Sequence, residues 1–583
     1  MNNFVYSIKK IFLKIHNKSI KNNIIDSNTS FNNISFDIQQ NESRGHISTN
    51  VVFIYLKNSQ LDYKKIIEIF KNELSLFKII EKIEIAGGGF INIFLSKQFL
   101  IKELKILNSL GNNFGSSLLG KNKKINIEFI SANPTGPLHI AHSRGAVFGD
   151  VLSNLLEKIG YDVTREYYLN DSGRQIEILG ESLFFRYRQE LNLTEDKINK
   201  NYYPGNYLIH LAKDIILKDG DKWVNSKTIK RKNYFKSYAT KKILKMIKED
   251  CKKIGIVFDN FISEEKIIKS NIINLVFKKL KQKKLIYKGK LNKPMSSLDL
   301  EWDSREQLLF KSTNFGDDSD RAFVKSNNEW SYFANDAAYH YHKLSRGFDK
   351  LINIWGSDHI GYIKRMKSIV KVLSNEKVDL NIKICQLVHL KKDNKPYKMS
   401  KRSGNFITMN EIVNEVGSDV LRFFMLYRKN DTQMDFDLSK VVEKTKDNPI
   451  FYVQYAFARS SSVLNISKNK FSRNNLNKEL SNKTFVENIS SFEWKIIIKI
   501  LSWPNVIENA ALSEEPHRIL YYLENLSSLF HIFWNMGKED KNLRFIDENN
   551  LDKTLSRIYW IKSMQIVYRS AFKILGIKPM NKM

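Results

Sequence analysis

The run GGGFINIFLS (87–96) ends in alternating apolar residues, Phe90, Ile91, Ile93 and Leu95 among them, and NVVFIYLK (50–57) is a second strand-like run. With helical patterns between them, these predict a small α/β module over residues 1 to about 110. LNSLGNNFGSSLLGKNKK (107–124) is rich in Gly, Ser and Asn and reads as a linker. Beyond it, Ile125, Ile127 and Phe129 alternate with polar residues, which is a strand signature. ANPTGP, carrying Pro134, Gly136 and Pro137, is a loop. From about Leu138 the pattern turns helical, with Val147, Val151, Leu155 and Ile159 four apart and Gly160 as a stop. YDVTREYYL then reads as a second strand. This β-loop-α-β order is the building block of a doubly wound parallel sheet, so the fold class is α/β.

Residues from about 185 to 300 are polar and mostly helical and read as an insertion into the sheet, after which strand signals resume at LINIWGSDH (351–359) and NIKICQLVHL (381–390). The last third is expected to be all-α. Leu523, Leu526, Phe530 and Phe533 are spaced 3, 4, 3, and Ile561, Met564, Tyr568, Ala571 and Leu575 are spaced 3, 4, 3, 4. The Asn/Lys/Ser-rich stretch 466–484 reads as a loop.

With 42% apolar residues over 583 positions, a sizeable core can be buried. The charge, 94 − 62 = +32, suits a polyanionic partner. Lys, Asn and Ile are enriched everywhere, however, so charge alone does not select one. No apolar run reaches the ~18 residues of a membrane span. Cys251 and Cys385 are too few for a disulfide scaffold or a four-cysteine zinc site. The N-terminus lacks a small-residue cleavage site and has no arginine before Arg44, so a cytoplasmic location is expected.

Two segments carry candidate chemistry. In PLHIAH, His139 and His142 sit where a loop becomes a helix, beside free N–H groups that favour phosphate oxygens. The alternative is a zinc pair, but a zinc site needs a third ligand and usually an acidic base, and none is evident in the helix that follows. No metal site is expected in the protein itself. KPYKMSKRSGNF (395–406) gathers Lys395, Lys398, Lys401 and Arg402 around a Gly/Ser turn, which suits a departing pyrophosphate. A solvated basic loop is the competing reading.

Taken together, SANPTGPLHIAH and KMSKRSG resemble the two signatures of class I aminoacyl-tRNA synthetases, with Ala141 where Gly is usual and Arg402 where Ser is common. Within that class the chain resembles the arginyl-tRNA synthetases. The similarity extends through NFGDDSDRAFVKSNNEWSYFANDAAYHYHK (314–343), NIWGSDHIGYIKR (353–365), NEVGSDVLRFFML (414–426) and DNPIFYVQYAFAR (447–459), and RGHISTN (44–50) has His46 where Asp is usual.

The resemblance implies a Rossmann-like catalytic domain over 111–390 with a helical insertion at about 185–300. Around it stand an N-terminal tRNA-binding module (1–110), the KMSK loop with connecting helices (391–446) and a helical anticodon-binding domain (447–583). It implies ATP contacts from Ala132, Asn133, Pro134, Thr135, Gly136, Pro137, Leu138, His139, Ile140, Ala141 and His142, from Asp358 and His359, and from Lys398, Met399, Ser400 and Lys401. His139, His142, Lys398 and Lys401 would be catalytic. Tyr332 and Asp336, four apart and on one helical face, would hold a guanidinium with Glu264 as a second acid, Glu265 being equally plausible, and Asn133 would grip the α-amino end. The implied substrates are L-arginine, ATP with Mg2+ and the tRNA for arginine, used by a monomer. Tyr452, Tyr455 and Arg459 are candidates to meet the anticodon loop. Competing readings are a class I synthetase for cysteine or glutamate, a non-catalytic RNA-binding relative, and a zinc hydrolase.

Overall fold

The computed structural model describes residues 4–39, 44–194, 197–291, 305–397, 407–476 and 478–582. The chain forms two compact units, one of residues 1–118 with 444–583 and the other of 119–443. Among the described residues no helix is long and apolar enough to cross a membrane.

The first unit opens with helix Phe4–Lys21 and strands β1 (Phe36–Ile38), β2 (Ile47–Thr49), β3 (Ile80–Ala86) and β4 (Phe90–Leu95), in antiparallel order β1-β2-β4-β3. The strand expected at 50–57 is instead the helix Val51–Lys57. Val51, Val52 and Tyr55 are its buried residues, a helical spacing that a short apolar run does not distinguish from a strand. Here the imidazole of His46 accepts the Leu95 N–H through Nδ1 at 2.8 Å, and burial pushes its pKa down to about 4.

The neutral imidazole is therefore preferred in the folded state, while the unfolded chain binds a proton near 6.5. Its stabilising contribution is complete above that value and is lost as pH falls from 6.5 towards 4, up to about 3 kcal/mol. Acid melting of this unit should flatten over that window in His46→Asn, whose side-chain oxygen can accept from Leu95 without titrating. An unchanged slope in that variant would exclude His46 as the source.

The second unit holds β5 (Lys124–Glu128), β6 (Asp162–Leu169), β7 (Asn260–Ser263), β8 (Ile286–Gly289), β9 (Gln307–Phe310), β10 (Arg321–Val324), β11 (Lys350–Gly356), β12 (Asp379–Cys385), β13 (Val388–Lys392), β14 (Lys395–Pro396) and β15 (Met434–Asp437). Five of them make the parallel sheet β12-β11-β5-β6-β7. Ile125, Ile127, Leu351 and Ile352 are fully buried, as expected for strands covered on both faces. The chain starts in the middle at β5, builds outward through β6 and β7, then returns to add β11 and β12 on the other side. The strand order thus reverses between β5 and β11, which is where open α/β sheets bind ligands.

Helices Arg174–Glu190, Tyr207–Asp219 and Thr228–Lys253 fill much of the span expected as an insertion. That span also contains β7, the edge strand of the main sheet. NFIS is four residues long and only half-buried, too brief to show alternation. The run 381–390 divides at Gln386 and Leu387 between the main sheet and a separate sheet β14-β13-β15.

From Pro449 the first unit is helical: Pro449–Lys470, Arg473–Leu476, Asn482–Asn488, Ser491–Leu501, Trp503–Leu512, His517–Glu539 and Leu551–Leu575. Leu523, Leu526, Phe530, Phe533, Ile561, Met564, Tyr568, Ala571 and Leu575 are buried, as their spacing required. The loop expected at 466–484 is largely helical, its start being the last turn of Pro449–Lys470. The N- and C-terminal segments, read from sequence as separate modules, share this unit, with Asn108 Nδ2 donating to Ser563 Oγ at 2.6 Å.

Candidate active site

The loop leaving β5 is held in a costly conformation. Ile130 and Ser131 have φ of +65° and +40°, the left-handed region that non-glycine residues avoid. Ser131 Oγ donates to Glu128 Oε1 (3.0 Å) and accepts the Tyr168 N–H (3.0 Å). The Tyr167 hydroxyl donates to the Ala132 carbonyl and the Tyr207 hydroxyl to that of Thr135. Asn133 is exposed, with Nδ2 2.9 Å from Gln175 Oε1. Pro134 and Leu138 are buried, and the Tyr207 bond to Thr135 holds the loop between them.

Helix Ile140–Lys158 begins immediately afterwards, with His139 as its N-cap. It approaches the end of β5 closely, since a Cβ on Gly149 would stand 2.3 Å from the Phe129 ring. The His139 N–H donates to His142 Nδ1 at 3.2 Å, and the two rings lie 4.0 Å apart. Because Nδ1 of His142 accepts, its proton in the neutral form sits on Nε2, which becomes a donor. Below, Asp250 accepts the Leu138 N–H, and burial pushes its carboxyl pKa up to about 6.

Lys398, Met399, Ser400 and Lys401 lie outside the described residues, as does Arg402. Their flanks are described. Tyr397 N–H donates to Leu390 O within the β13 sheet, whereas Thr408 bridges His139 and Met409 N–H donates to Leu138 O at 2.8 Å. The segment following the second signature therefore pairs with Leu138 and His139 of the first.

Asp358 and His359 follow β11, the strand beside β5. Their side chains are exposed, with His359 Nε2 3.5 Å from Asp358 Oδ2. They stand at the carboxyl end of the sheet, where strand order reverses.

An acidic slot lies over β6. Glu264 is 8% exposed and accepts from Ser172 Oγ at 2.5 Å. Burial, and then the carboxylates of Glu264 and Asp336, push the Tyr168 phenol far above its ordinary pKa. Both acids therefore act on the Tyr168 hydroxyl, which is buried without a hydrogen-bond partner among the described residues. Glu265 turns away and pairs with Lys269 at 2.7 Å. The register is set by Asp171, which accepts from Ser263 Oγ and the Glu265 N–H. Tyr332 opens helix Tyr332–Ser345, is 59% exposed and has Lys325 Nζ 5.0 Å above its ring. Sequence reasoning missed Tyr168 and Ser172; nothing in their spacing separates them from ordinary strand and turn residues.

Among the described residues no three His, Cys, Asp or Glu side chains are grouped to hold a metal ion. The site offers imidazole and backbone donors on one side and two carboxylates on the other, a pairing that suits a polyphosphate next to a cation.

Three family descriptions match the chain. They are the arginyl tRNA synthetase N terminal domain (residues 13–95), the catalytic domain of tRNA synthetases class I (R) (105–446) and the DALR anticodon binding domain (453–583). The chain is 43% identical to an arginine–tRNA ligase of Wolbachia pipientis wMel over 95% of both chains, and 40% identical to that of Bartonella henselae over the whole of both. A solved Campylobacter jejuni chain superposes with TM-score 0.72 at 32% identity, covering 84% of this chain and all of that one. The Thermus thermophilus arginyl-tRNA synthetase shares the fold, with TM-score 0.68 at 15% identity over 94% of this chain and 96% of that one.

Proposed function

The chain belongs to the arginyl-tRNA synthetase family, and from that premise we propose that it attaches L-arginine to the 3′ end of its tRNA through an arginyl-adenylate. The arginine carboxylate oxygen attacks the α-phosphorus of ATP, the α–β phosphoanhydride breaks and pyrophosphate leaves. The terminal ribose hydroxyl of the tRNA then takes the arginyl group, losing its proton as AMP departs. Both steps depend on positioning and charge neutralisation. His139 and His142 would bind phosphate oxygens, His142 through Nε2–H, with Asn133 at the α-amino group and Asp358 and His359 by the adenosine. Lys398 and Lys401 would meet the departing pyrophosphate. Magnesium would enter with the triphosphate as its counter-ion.

The observation that carries this reading is a pair of acids near Tyr168, in the same unit as the histidine-capped helix: Glu264, buried and bonded to Ser172, and Asp336, on the helix whose Tyr339 packs against the Tyr168 ring. A planar cation with five donors fits two carboxylates. A glutamate substrate would meet like charge there. In the first unit, the Arg459 guanidinium lies 3.9 Å from the Tyr455 ring centre and 4.7 Å from that of Trp534, and the exposed Tyr455 is suited to meet unpaired bases of an anticodon loop. We further propose that the enzyme works as a cytoplasmic monomer.

Charging of total tRNA with each radiolabelled amino acid in turn tests the reading. Arginine alone should be incorporated, and incorporation of another amino acid would overturn it. His142→Ala should then slow arginine-dependent ATP–pyrophosphate exchange, measured with tRNA present, by about 10²-fold, as for loss of one transition-state donor, with little change in the KM for arginine.

A further inference from the structure

A chain of buried polar groups beneath the site has only one consistent set of donors and acceptors. Lys343 is wholly buried and donates to Glu128 Oε2 at 2.5 Å and to Asn353 Oδ1 at 2.9 Å. An ammonium only donates, so the Asn353 oxygen must face it and the Asn353 amide nitrogen faces away. That nitrogen lies 3.0 Å from His340 Nε2, which must therefore accept. The His340 proton is left on Nδ1, which donates to the Asp336 carbonyl at 2.8 Å. Burial holds the imidazole neutral, with its pKa down at about 4. At the other end Glu128 accepts from Ser131 in the strained loop beside Asn133.

We propose that His340 is a positioning residue for aminoacylation: it fixes the Asp336 turn to β11 at Asn353, in a buried network whose far end reaches the nucleotide loop through Glu128 and Ser131. This rests on the reading of Asp336 as a guanidinium ligand. A helix end facing a ligand frays more readily than its middle. The turn carrying Tyr332 and Asp336 is such an end, and misplacement by about an ångström there is enough to spoil alignment of carboxylate and α-phosphorus.

Two variants and a control test it. His340→Gln can still accept from Asn353 but no longer donates to the Asp336 carbonyl, and His340→Phe does neither. Ile369→Ala weakens the core packed against the same helix but removes no hydrogen-bonding group of the network. KM values for arginine and for ATP are measured by tRNA charging, together with Tm. His340→Phe should raise the arginine KM about tenfold, or about 1.4 kcal/mol, with the ATP KM within about twofold. His340→Gln should raise the arginine KM severalfold at nearly wild-type Tm, which keeps the test decisive if the Phe variant does not fold. Ile369→Ala should lower Tm and leave both KM values alone. An arginine KM unchanged in His340→Gln overturns the proposal, and so does an imidazole ¹⁵N spectrum with His340 protonated on Nε2. If the wild-type protein charges no arginine, the functional reading itself fails first.

Discussion

Asp336→Asn is expected to raise the KM for arginine by about 10² to 10³-fold, the consequence of removing one partner from a desolvated ion pair at about 3–4 kcal/mol. The fold should persist, because Asn keeps the volume and the helix propensity changes little. Glu264→Gln should cost less: its carboxylate already accepts from the Ser172 hydroxyl, so part of its charge is engaged before substrate arrives. Discrimination should move with affinity. Lysine would satisfy fewer acceptors than a guanidinium and leave carboxylate oxygens unpaired, so the wild type should reject it strongly. With Asn at 336 that penalty shrinks, and the ratio of kcat/KM for arginine over lysine should fall. A variant that charges arginine with unchanged KM would remove Asp336 from the slot.

How much of this was legible in the sequence depends on the range of each signal. β5, the loop and the helix begun at His139 follow from local alternation and from Pro and Gly, and they stand where expected. Tyr332 and Asp336 share a helical face because four residues make about one turn. The shortest signals failed: four residues at β7 and seven at 51–57 span only about one to two helical turns, too few positions to separate strand from helix. Glu264 and Glu265 were equivalent by sequence. What separates them is Asp171, more than ninety positions earlier, whose carboxylate takes the Glu265 N–H and turns that side chain out to Lys269. Lys343 is the plainest omission. One lysine among many in a basic chain looks like surface, and only the sheet brings Glu128 and Asn353 to it.

Lys343→Met should lower the stability of the second unit by about 3–5 kcal/mol, because it leaves the Glu128 carboxylate buried with Ser131 as its remaining donor. Two units need not unfold together, so a single melting curve is a poor measure. Hydrogen exchange of the β5 and β11 amides reports on this unit directly and should quicken by about 10² to 10³-fold. Adding Glu128→Gln removes the orphaned charge, and exchange should return most of the way to wild type, as neutralising a buried pair together costs far less than breaking it. Arginine affinity should not return with it. In the double variant nothing holds the Asn353 oxygen, so its amide is free to rotate and His340 loses the partner that fixes its tautomer. Stability recovered while the KM for arginine stays raised would separate what the ion pair does for the fold from what it does for the site. Recovery of both would mean that the network serves only the fold.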